Sequence, residues 1–219
     1  VFQERGAKIA ETNRQTLERA RADASLGWDA SPISTARLSM EIWNQIRNED
    51  WSLVTGWVNW PLRLWDFTKH YQYIGRSGGE AIGYHLPASI GAALANRKYG
   101  RLTVAIQPDG DFMVANGVLW TAAHHKIPLL IVMQNNRAYH QDFMDAQRIA
   151  LVRNRGALET MAIGTEITNP NIDYAKLAQS LGVAAEGPIS DPTKLAAAIQ
   201  RGIQVVKRGE PYLIDAVTQ

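Results

Sequence analysis

The stretch that decides the fold spans residues 102–136, LTVAIQPDGDFMVANGVLWTAAHHKIPLLIVMQNN. An apolar segment at 102–107 leads into an acidic turn, and a helix-like segment at 114–125 leads into a second apolar segment at 128–134. Short, nearly continuous apolar segments are typical of strands in a parallel sheet that helices cover on both faces. We therefore predict two parallel strands joined by a crossover helix.

The same alternation of strands and helices continues on both sides of this stretch. Further strands are predicted at 51–55, near 183–185 and at 212–217, and further helices from Ser34 onward and at 80–96, 173–181 and 191–207. This order predicts an α/β fold with a doubly wound, mostly parallel sheet and helices on both faces. Residues 1–29 are polar with few apolar anchors, so we expect a linker helix from a preceding domain, followed by one domain at 30–219.

The composition argues against several classes of protein. Lys and Arg number 23 against 21 Asp and Glu, and the net charge of only +2 gives little support to binding of nucleic acid or of a membrane surface. The chain of 219 residues has no cysteine, which excludes thiol nucleophiles, disulfides and thiolate zinc sites. No apolar run approaches the roughly 20 residues of a membrane span. We expect a soluble, cytoplasmic protein.

The turn after each central strand carries oxygen-rich side chains. Asp109 follows the first strand, and Asn135 and Asn136 follow the second. Ligands of open α/β sheets bind beyond the carboxyl ends of the strands. Carboxylate and amide oxygens suit Mg²⁺, which usually takes part of its coordination from a phosphate, and Gly110 lets the backbone approach such a group. Each turn alone also fits an ordinary strand end, but the two together predict a magnesium–diphosphate site.

Two motifs in the right order resemble those of a known family. Asp109 and Gly110 are followed by 24 residues (111–134) and then by Asn135 and Asn136, which resembles the thiamine diphosphate-binding motif of the acetolactate synthase and pyruvate decarboxylase superfamily. The upstream segment 78–95, GGEAIGYHLPASIGAALA, is similar to the family's segment before that motif. The resemblance covers about residues 30–219 and implies the family's C-terminal, diphosphate-binding domain.

The resemblance implies a role for individual residues. It makes Asp109, the Asn136 side chain and the Ala138 carbonyl the magnesium ligands, and Ile82 the apolar wedge that bends the cofactor. The whole implied set of cofactor-binding residues is Thr55, Gly56, Glu80, Ile82, Asp109, Gly110, Asp111, Asn136, Ala138 and Tyr139. Beyond them, His140, Gln141 and Asp142 are candidates for substrate contact and proton transfer, and Ile82 is counted with these catalytic candidates.

The sequence departs from the family's pattern at two positions. Pro108 stands where the family has glycine, which costs little if φ is already near −65°. Asp111 stands where the family often has serine, and a carboxylate beside a diphosphate is repulsive unless it turns away.

The resemblance implies a thiamine diphosphate- and Mg²⁺-dependent lyase or carboligase acting on 2-oxo acids, with chemistry like that of acetolactate synthase. The family's activating glutamate belongs to a separate pyrimidine-binding domain, so we expect this chain to supply half of an active site in a homo- or hetero-oligomer, a dimer or tetramer. Simple 2-oxo acid decarboxylation, 2-hydroxyacyl cleavage and a non-catalytic cofactor-binding subunit remain alternatives. A dinucleotide-binding protein is disfavoured because the glycine fingerprint is missing.

Other conspicuous residues are predicted to be structural. His124 and His125 are expected to end a helix, and His85 to pack within one. Five tryptophans, Trp43, Trp51, Trp57, Trp60 and Trp65, are expected to serve the core and a domain interface, with an apolar substrate pocket as the alternative.

Overall fold

Two parallel strands, β3 (Leu102–Pro108) and β4 (Leu130–Asn135), form the centre of the sheet. In the computed structural model, which describes residues 2–55, 60–75, 81–156 and 160–219, Val104 pairs with Leu130 and Pro108 with Gln134. Successive side chains of these strands enter two separate apolar cores, one on each face of the sheet. Burial on both faces is the physical reason for the unbroken apolar runs in the sequence.

Four more strands complete a parallel sheet of six. They are β1 (Trp51–Val54), β2 (Tyr73–Ile74), β5 (Ala184–Ile189) and β6 (Tyr212–Val217), and the strand order is β2-β1-β3-β4-β6-β5. Every pairing is parallel. The chain runs outward from β1 to β2 and then returns to the other side of β1, so the strand order reverses between β1 and β3. Such a reversal opens a crevice at the carboxyl ends of the strands.

Helices cover both faces of the sheet, which confirms the predicted fold class. They are α1 (Phe2–Ala24), α2 (Thr35–Ile46), α3 (His85–Arg97), α4 (Asp109–Ala115), α5 (Val118–His124), α6 (His140–Val152), α7 (Tyr174–Ser180) and α8 (Leu195–Lys207). Helices α2 and α8 contribute to one core, and α3, α4, α5 and α7 to the other. Only Ala24 of α1 is buried, as expected for the polar segment at 1–29. Within the described ranges, no helix has the length and apolar character needed to span a bilayer.

The helix predicted for 114–125 is wrong at its start. The structure has helix α4 from Asp109, immediately after β3, and a break at Asn116 and Gly117 before α5. Pro108 precedes α4 with φ −66° and ψ 142°, and an aspartate in the first turn complements the helix dipole. The first turn of α4 carries Asp and Gly and no apolar periodicity, so hydrophobic spacing does not reveal it.

Other boundaries also differ from the prediction. The helix predicted at 80–96 begins at His85, after a turn at 82–83. The one predicted at 191–207 begins with the 3₁₀ turn Pro192–Lys194, for which Asp191 accepts a hydrogen bond from the Thr193 N–H at 3.0 Å. The two-residue strand β2 is not predicted, because two residues are too few to show a period.

Candidate functional site

Asp109 is the first residue of α4 and follows β3 without a connecting loop. Its side chain is 1% exposed. Burial raises the pKa of this carboxyl group to about 6, although the backbone amides of Gly110, Arg137 and Ala138 lie close enough to lower it in part. Neither oxygen accepts a hydrogen bond of normal geometry from the residues that the structure describes. Because a buried carboxylate without partners is costly, the position favours a bound cation.

The loop after β4 lies against Asp109. Within it, Asn136 Oδ1 accepts a hydrogen bond from the Ala138 N–H at 3.2 Å, and Arg137 adopts a φ of +59°. Two backbone hydrogen bonds of 2.7 Å tie the loop to the segment 165–167. The loop is therefore held in one conformation beside the buried carboxylate.

Gly110 packs against the Tyr139 ring so closely that no side chain fits between them. A Cβ atom on Gly110 lies only 2.6 Å from Tyr139 Cδ1 when it is built on the backbone. Tyr139 ends the loop that carries Asn136, so this contact joins the first turn of α4 to that loop. The absence of a side chain is a requirement of the site's shape.

The carboxylate of Asp111 points toward the start of α3. It accepts hydrogen bonds from the Gly83 N–H at 2.6 Å and from Gln107 Nε2 at 2.7 Å, and it lies 3.1 Å from Nδ1 of the buried His85. Burial raises the pKa of Asp111, but the nearby His85 imidazole and the hydrogen bonds from Gly83 and Gln107 outweigh burial and hold this pKa below its ordinary value. The structure thus accommodates both departures from the family's pattern. Asp111 is hydrogen-bonded to Gly83 and Gln107, and Pro108 has a φ of −66°, which suits proline.

Ile82 lies in the turn that precedes α3 and is 58% exposed. The next residue, Gly83, has φ +91°, and a Cβ atom there lies 2.7 Å from Val114 Cγ1 of α4. The turn therefore packs directly on α4 while the Ile82 side chain stays available for an apolar contact. Its role as the cofactor's wedge stays a prediction.

Residues 55–216 match the family described as "Thiamine pyrophosphate enzyme, C-terminal TPP binding domain". The chain belongs to this family. Thiamine pyrophosphate, or TPP, is thiamine diphosphate, the cofactor that the two sequence motifs indicate. The match includes both motifs, the strands β2 to β5 and all of β6 except Val217, and it begins directly after β1.

Two acetolactate synthases illustrate the similarity of this TPP-binding domain to longer proteins. It is 32% identical over 117 residues to the acetolactate synthase large subunit of Porphyra purpurea, covering 53% of this chain and 18% of that protein. It is 28% identical over 151 residues to the mitochondrial acetolactate synthase catalytic subunit of Aspergillus candidus, covering 68% of this chain and 20% of that protein. Across eight curated relatives the covered share lies between 12% and 31%, so the chain spans less than a third of their length.

A solved structure shares the fold of this TPP-binding domain. The thiamine diphosphate-dependent 4-hydroxybenzoylformate decarboxylase of Rhodococcus jostii RHA1 superposes with a TM-score of 0.70 at 23% identity. The superposition covers 87% of this chain and 33% of that one. At this identity the likeness shows the fold alone.

The side chains present in the TPP-binding domain fit a magnesium-bound diphosphate. The Asp109 oxygens are buried without a partner among the described residues, and the amide oxygen of Asn136 lies in the adjoining loop. Both are hard oxygen donors of the kind that Mg²⁺ prefers. Their roles as ligands, and that of the Ala138 carbonyl, stay predictions.

The remaining predicted site residues lie around this point. Thr55 follows β1 at the reversal of strand order, and its buried Oγ1 has no hydrogen-bond partner in the described ranges. Gly56 and Glu80 fall outside the described residues. His140, Gln141 and Asp142 form the exposed first turn of α6, directly after the loop, and Gln141 Nε2 donates to Asp145 Oδ2 at 3.1 Å.

Two buried polar residues behind the loop, Asp215 and Tyr174, are not singled out by the sequence pattern, and the pattern does not separate the role of Asn135 from that of Asn136. Asn135 donates from Nδ2 to Asp215 Oδ1 at 2.8 Å and accepts from the Arg137 N–H at 3.2 Å. The buried Tyr174 hydroxyl has no partner among the described residues; burial raises its pKa, and the charges of Asp109 and Asp215 raise it further. Asn135 is thus a support for the loop, whereas the role of Asn136 as a ligand stays a prediction. The one sign of this support in the sequence is a single acidic residue, Asp215, within the apolar strand YLIDAV.

Asp215 predicts a pH dependence of stability. Burial raises the pKa of Asp215 to about 6, against 3.8 for an ordinary aspartate. The folded chain therefore keeps a proton that the unfolded chain releases, and the free energy of unfolding falls as pH rises through this window. We expect Asp215→Asn, whose Oδ1 still accepts from Asn135, to reduce this fall by about 1 kcal/mol or more in urea unfolding followed over that range. An unchanged slope contradicts this.

Most of the residues predicted to be structural lie at helix ends or in the core. His124 is the last residue of α5 and stacks on Trp120 at 4.8 Å between ring centroids, and His125 caps the helix. The tryptophans Trp43, Trp51, Trp60 and Trp65 form one aromatic cluster in the core against α2 and α8. Trp57 falls outside the described residues.

Proposed function

We propose that this chain holds the diphosphate of thiamine diphosphate through Mg²⁺ and forms half of the active site of a lyase or carboligase acting on 2-oxo acids. The observation that carries the proposal is the buried Asp109 carboxylate, which lacks a partner in the described residues and faces the loop of Asn136 and Ala138. In this assignment Asp109, Asn136 Oδ1 and the Ala138 carbonyl would hold the metal, and diphosphate oxygens and water would supply its remaining oxygen ligands.

When bound, thiamine diphosphate supplies the electron sink that allows a 2-oxo acid to lose carbon dioxide. The residues of this chain bind and orient it. The Gly110 backbone allows close approach of the diphosphate, Thr55 after β1 offers a hydroxyl without a hydrogen-bond partner among the described residues, and Ile82 supplies an exposed apolar contact. Gly56, Glu80, Asp111 and Tyr139 complete the proposed set.

The proposal requires a partner. The chain covers less than a third of the length of its relatives, and the glutamate that activates the cofactor is assigned to a pyrimidine-binding domain or subunit. A homo- or hetero-oligomer, dimer or tetramer, brings the two halves together. Residues 1–29 are proposed to connect the domain at 30–219 to a preceding one.

The leading reaction is decarboxylation followed by carbon–carbon bond formation, because the curated relatives described above are acetolactate synthases. Simple 2-oxo acid decarboxylation and 2-hydroxyacyl cleavage are alternative reactions that need the same magnesium–diphosphate half of the active site. A non-catalytic cofactor-binding subunit is the remaining rival. Its support came from Pro108 and Asp111, but neither obstructs the site, since Pro108 has the φ it needs and Asp111 is bonded to Gly83.

Asp142 offers a test of catalysis separate from cofactor binding. We expect Asp142→Ala to slow product formation from pyruvate by about a hundredfold, the usual contribution of a proton-transfer group. The affinity for thiamine diphosphate is expected to stay within about twofold, because Asp142 lies on the exposed first turn of α6. The measurement is acetolactate and carbon dioxide formation by the chain together with the polypeptide that carries its pyrimidine-binding domain.

The matched control is Glu210→Ala, which removes an exposed carboxylate just before β6, at the amino end of the strands, and is expected to leave the rate unchanged. A loss of cofactor affinity in Asp142→Ala contradicts the role given to this residue. Absence of turnover by the assembled wild type with pyruvate, 2-oxobutyrate and benzoylformate contradicts the proposed reaction class.

A further inference from the structure

The carboxylate of Asp111 joins two segments that are distant in the sequence. Asp111 lies in the first turn of α4, two residues after Asp109, whereas its partner Gly83 lies 28 residues earlier, in the turn before α3. Oδ1 accepts from the Gly83 N–H at 2.6 Å, and Oδ2 accepts from Gln107 Nε2 at 2.7 Å. The carboxylate is 8% exposed, so water competes little for these bonds.

Packing holds the turn at 81–84 against α4, in addition to the hydrogen bond between Gly83 and Asp111. Gly83 has φ +91°, a conformation that favours glycine, and its missing Cβ leaves room for Val114 of α4. One peptide unit is thus fixed both by packing and by an ionic hydrogen bond, which is stronger than a neutral one. The neighbouring Ile82 side chain is exposed, so its direction depends on this backbone rather than on its own packing.

We propose that Asp111 is a positioning residue that sets the place of the Ile82 side chain relative to Asp109. Asp111 lies in the same helical turn as Asp109, and its carboxylate accepts a hydrogen bond from the backbone N–H next to Ile82. The proposed apolar contact and the proposed metal ligand are therefore fixed relative to each other. This inference rests on the proposed function, in which Ile82 contacts the cofactor. It assigns the Asp111 side chain no contact with the diphosphate, so only the backbone of Asp111 belongs to the proposed cofactor-binding set.

The opposite expectation follows if Asp111 acts on the cofactor directly. A carboxylate that repels the diphosphate weakens binding, so replacing it by serine then tightens binding. If Asp111 positions the turn, serine weakens binding, because its shorter side chain cannot bridge Gly83 and Gln107. The two accounts therefore differ in the sign of the effect.

The test combines amide hydrogen exchange at Gly83 with the dissociation constant of thiamine diphosphate in Mg²⁺, measured on the chain with its pyrimidine-binding partner. We expect Asp111→Ser to speed Gly83 exchange and to raise the dissociation constant, each by about tenfold, the usual effect of losing a hydrogen bond to a charged group. In Asp111→Asn, the Gly83 exchange rate and the dissociation constant are both expected to lie within about threefold of the wild-type values. Its Oδ1 still accepts from Gly83, and Gln107 Oε1, which has no partner in the part of the chain that the structure describes, can turn to accept from the new amide.

A double-mutant cycle shows whether the effect passes through Ile82. In an Ile82→Ala background, Asp111→Ser is expected to change the dissociation constant by less than about twofold, since the side chain that it positions is gone. The matched control is Asp191→Ser, which removes a carboxylate that accepts from the Thr193 N–H far along the chain and is expected to change neither readout.

Tighter or unchanged binding in Asp111→Ser overturns the inference, as does an undiminished effect in the Ile82→Ala background. Unchanged Gly83 exchange in Asp111→Ser overturns it as well, even when binding weakens. A wild-type assembly that binds no thiamine diphosphate overturns the proposed function and with it the role of Asp111, and this outcome is visible before any variant is made.

Discussion

Replacing Asp109 by asparagine is expected to abolish magnesium-dependent binding of thiamine diphosphate and, at the same time, to stabilise the cofactor-free chain. The loss of binding is expected to exceed about a hundredfold, because a neutral amide is a far weaker ligand for Mg²⁺ than a carboxylate. The gain in the free energy of unfolding at neutral pH is expected to be about 1–2 kcal/mol, because a buried carboxylate without partners no longer has to be ionised.

The sign of the stability effect follows from the pKa of Asp109. Burial raises it from 3.8 to about 6, so the folded chain holds a proton over a range in which the unfolded chain has lost it. The stability of the wild type therefore falls as pH rises between these values and stays low above them. The full shift corresponds to about 3 kcal/mol, and the new amide's own unmet hydrogen bonds reduce the gain.

Urea unfolding at about pH 4 and at neutral pH, with calorimetric titration of thiamine diphosphate, measures both effects. The stability difference between Asp109→Asn and the wild type is expected to shrink at the lower pH, where Asp109 is protonated. Glu210→Gln, a change at an exposed position before β6, is the control. A variant that is less stable at neutral pH, or that still binds the cofactor in a metal-dependent way, contradicts the account.

Gly110→Ala is expected to damage both the fold and the site. The new methyl group meets the Tyr139 ring at 2.6 Å, so the ring and the loop that precedes it must move. Overpacking of this kind costs about 1–3 kcal/mol. A displaced loop also separates Asn136 from Asp109, so we expect affinity for thiamine diphosphate to fall by more than about tenfold.

A second glycine provides the control for Gly110→Ala. Gly91, in the middle of α3, has no atom within 4 Å of a built Cβ, so Gly91→Ala is expected to leave the site intact and to stabilise the helix by about 0.5–1 kcal/mol. Thermal or urea unfolding and the cofactor titration compare the two variants. If Gly110→Ala behaves like Gly91→Ala in both measurements, the close approach of Tyr139 has no functional importance.

The sheet could be predicted from the sequence because its central strands are buried on both faces. The segments at 102–107 and 128–134 are apolar for that reason, and each is followed by the polar turn that marks its carboxyl end. Parallel order then places these turns at one edge. The position of Asp109 beside the Asn136 loop thus follows from periodicity and topology together.

The internal support of the site could not be predicted, because it depends on contacts between distant positions. The bond between Asn135 and Asp215 joins residues 80 apart, and the bond between Asp111 and Gly83 joins residues 28 apart. Neither spacing is a helical or strand period. The side-chain direction of Asp111 is likewise a tertiary property, and only the structure shows that it turns toward the start of α3.

The start of α4 escaped prediction for a local reason. Apolar residues define a helix by their spacing, but the first turn of α4 consists of the buried residues Asp109, Gly110 and Asp111, none of which is apolar in the sense that this spacing detects. The segment that is least typical of a helix is thus the one with the proposed chemistry, which is where functional demands override local pattern.

Calorimetric titration of the wild-type assembly with thiamine diphosphate and with thiamine, each in Mg²⁺ and in a chelator, tests the central claim most directly. If Asp109 and Asn136 hold a metal that bridges to the diphosphate, only the combination of thiamine diphosphate and Mg²⁺ gives tight binding, and thiamine without its diphosphate binds weakly under both conditions. Equal binding of thiamine diphosphate with and without metal, or no binding in either, contradicts the claim.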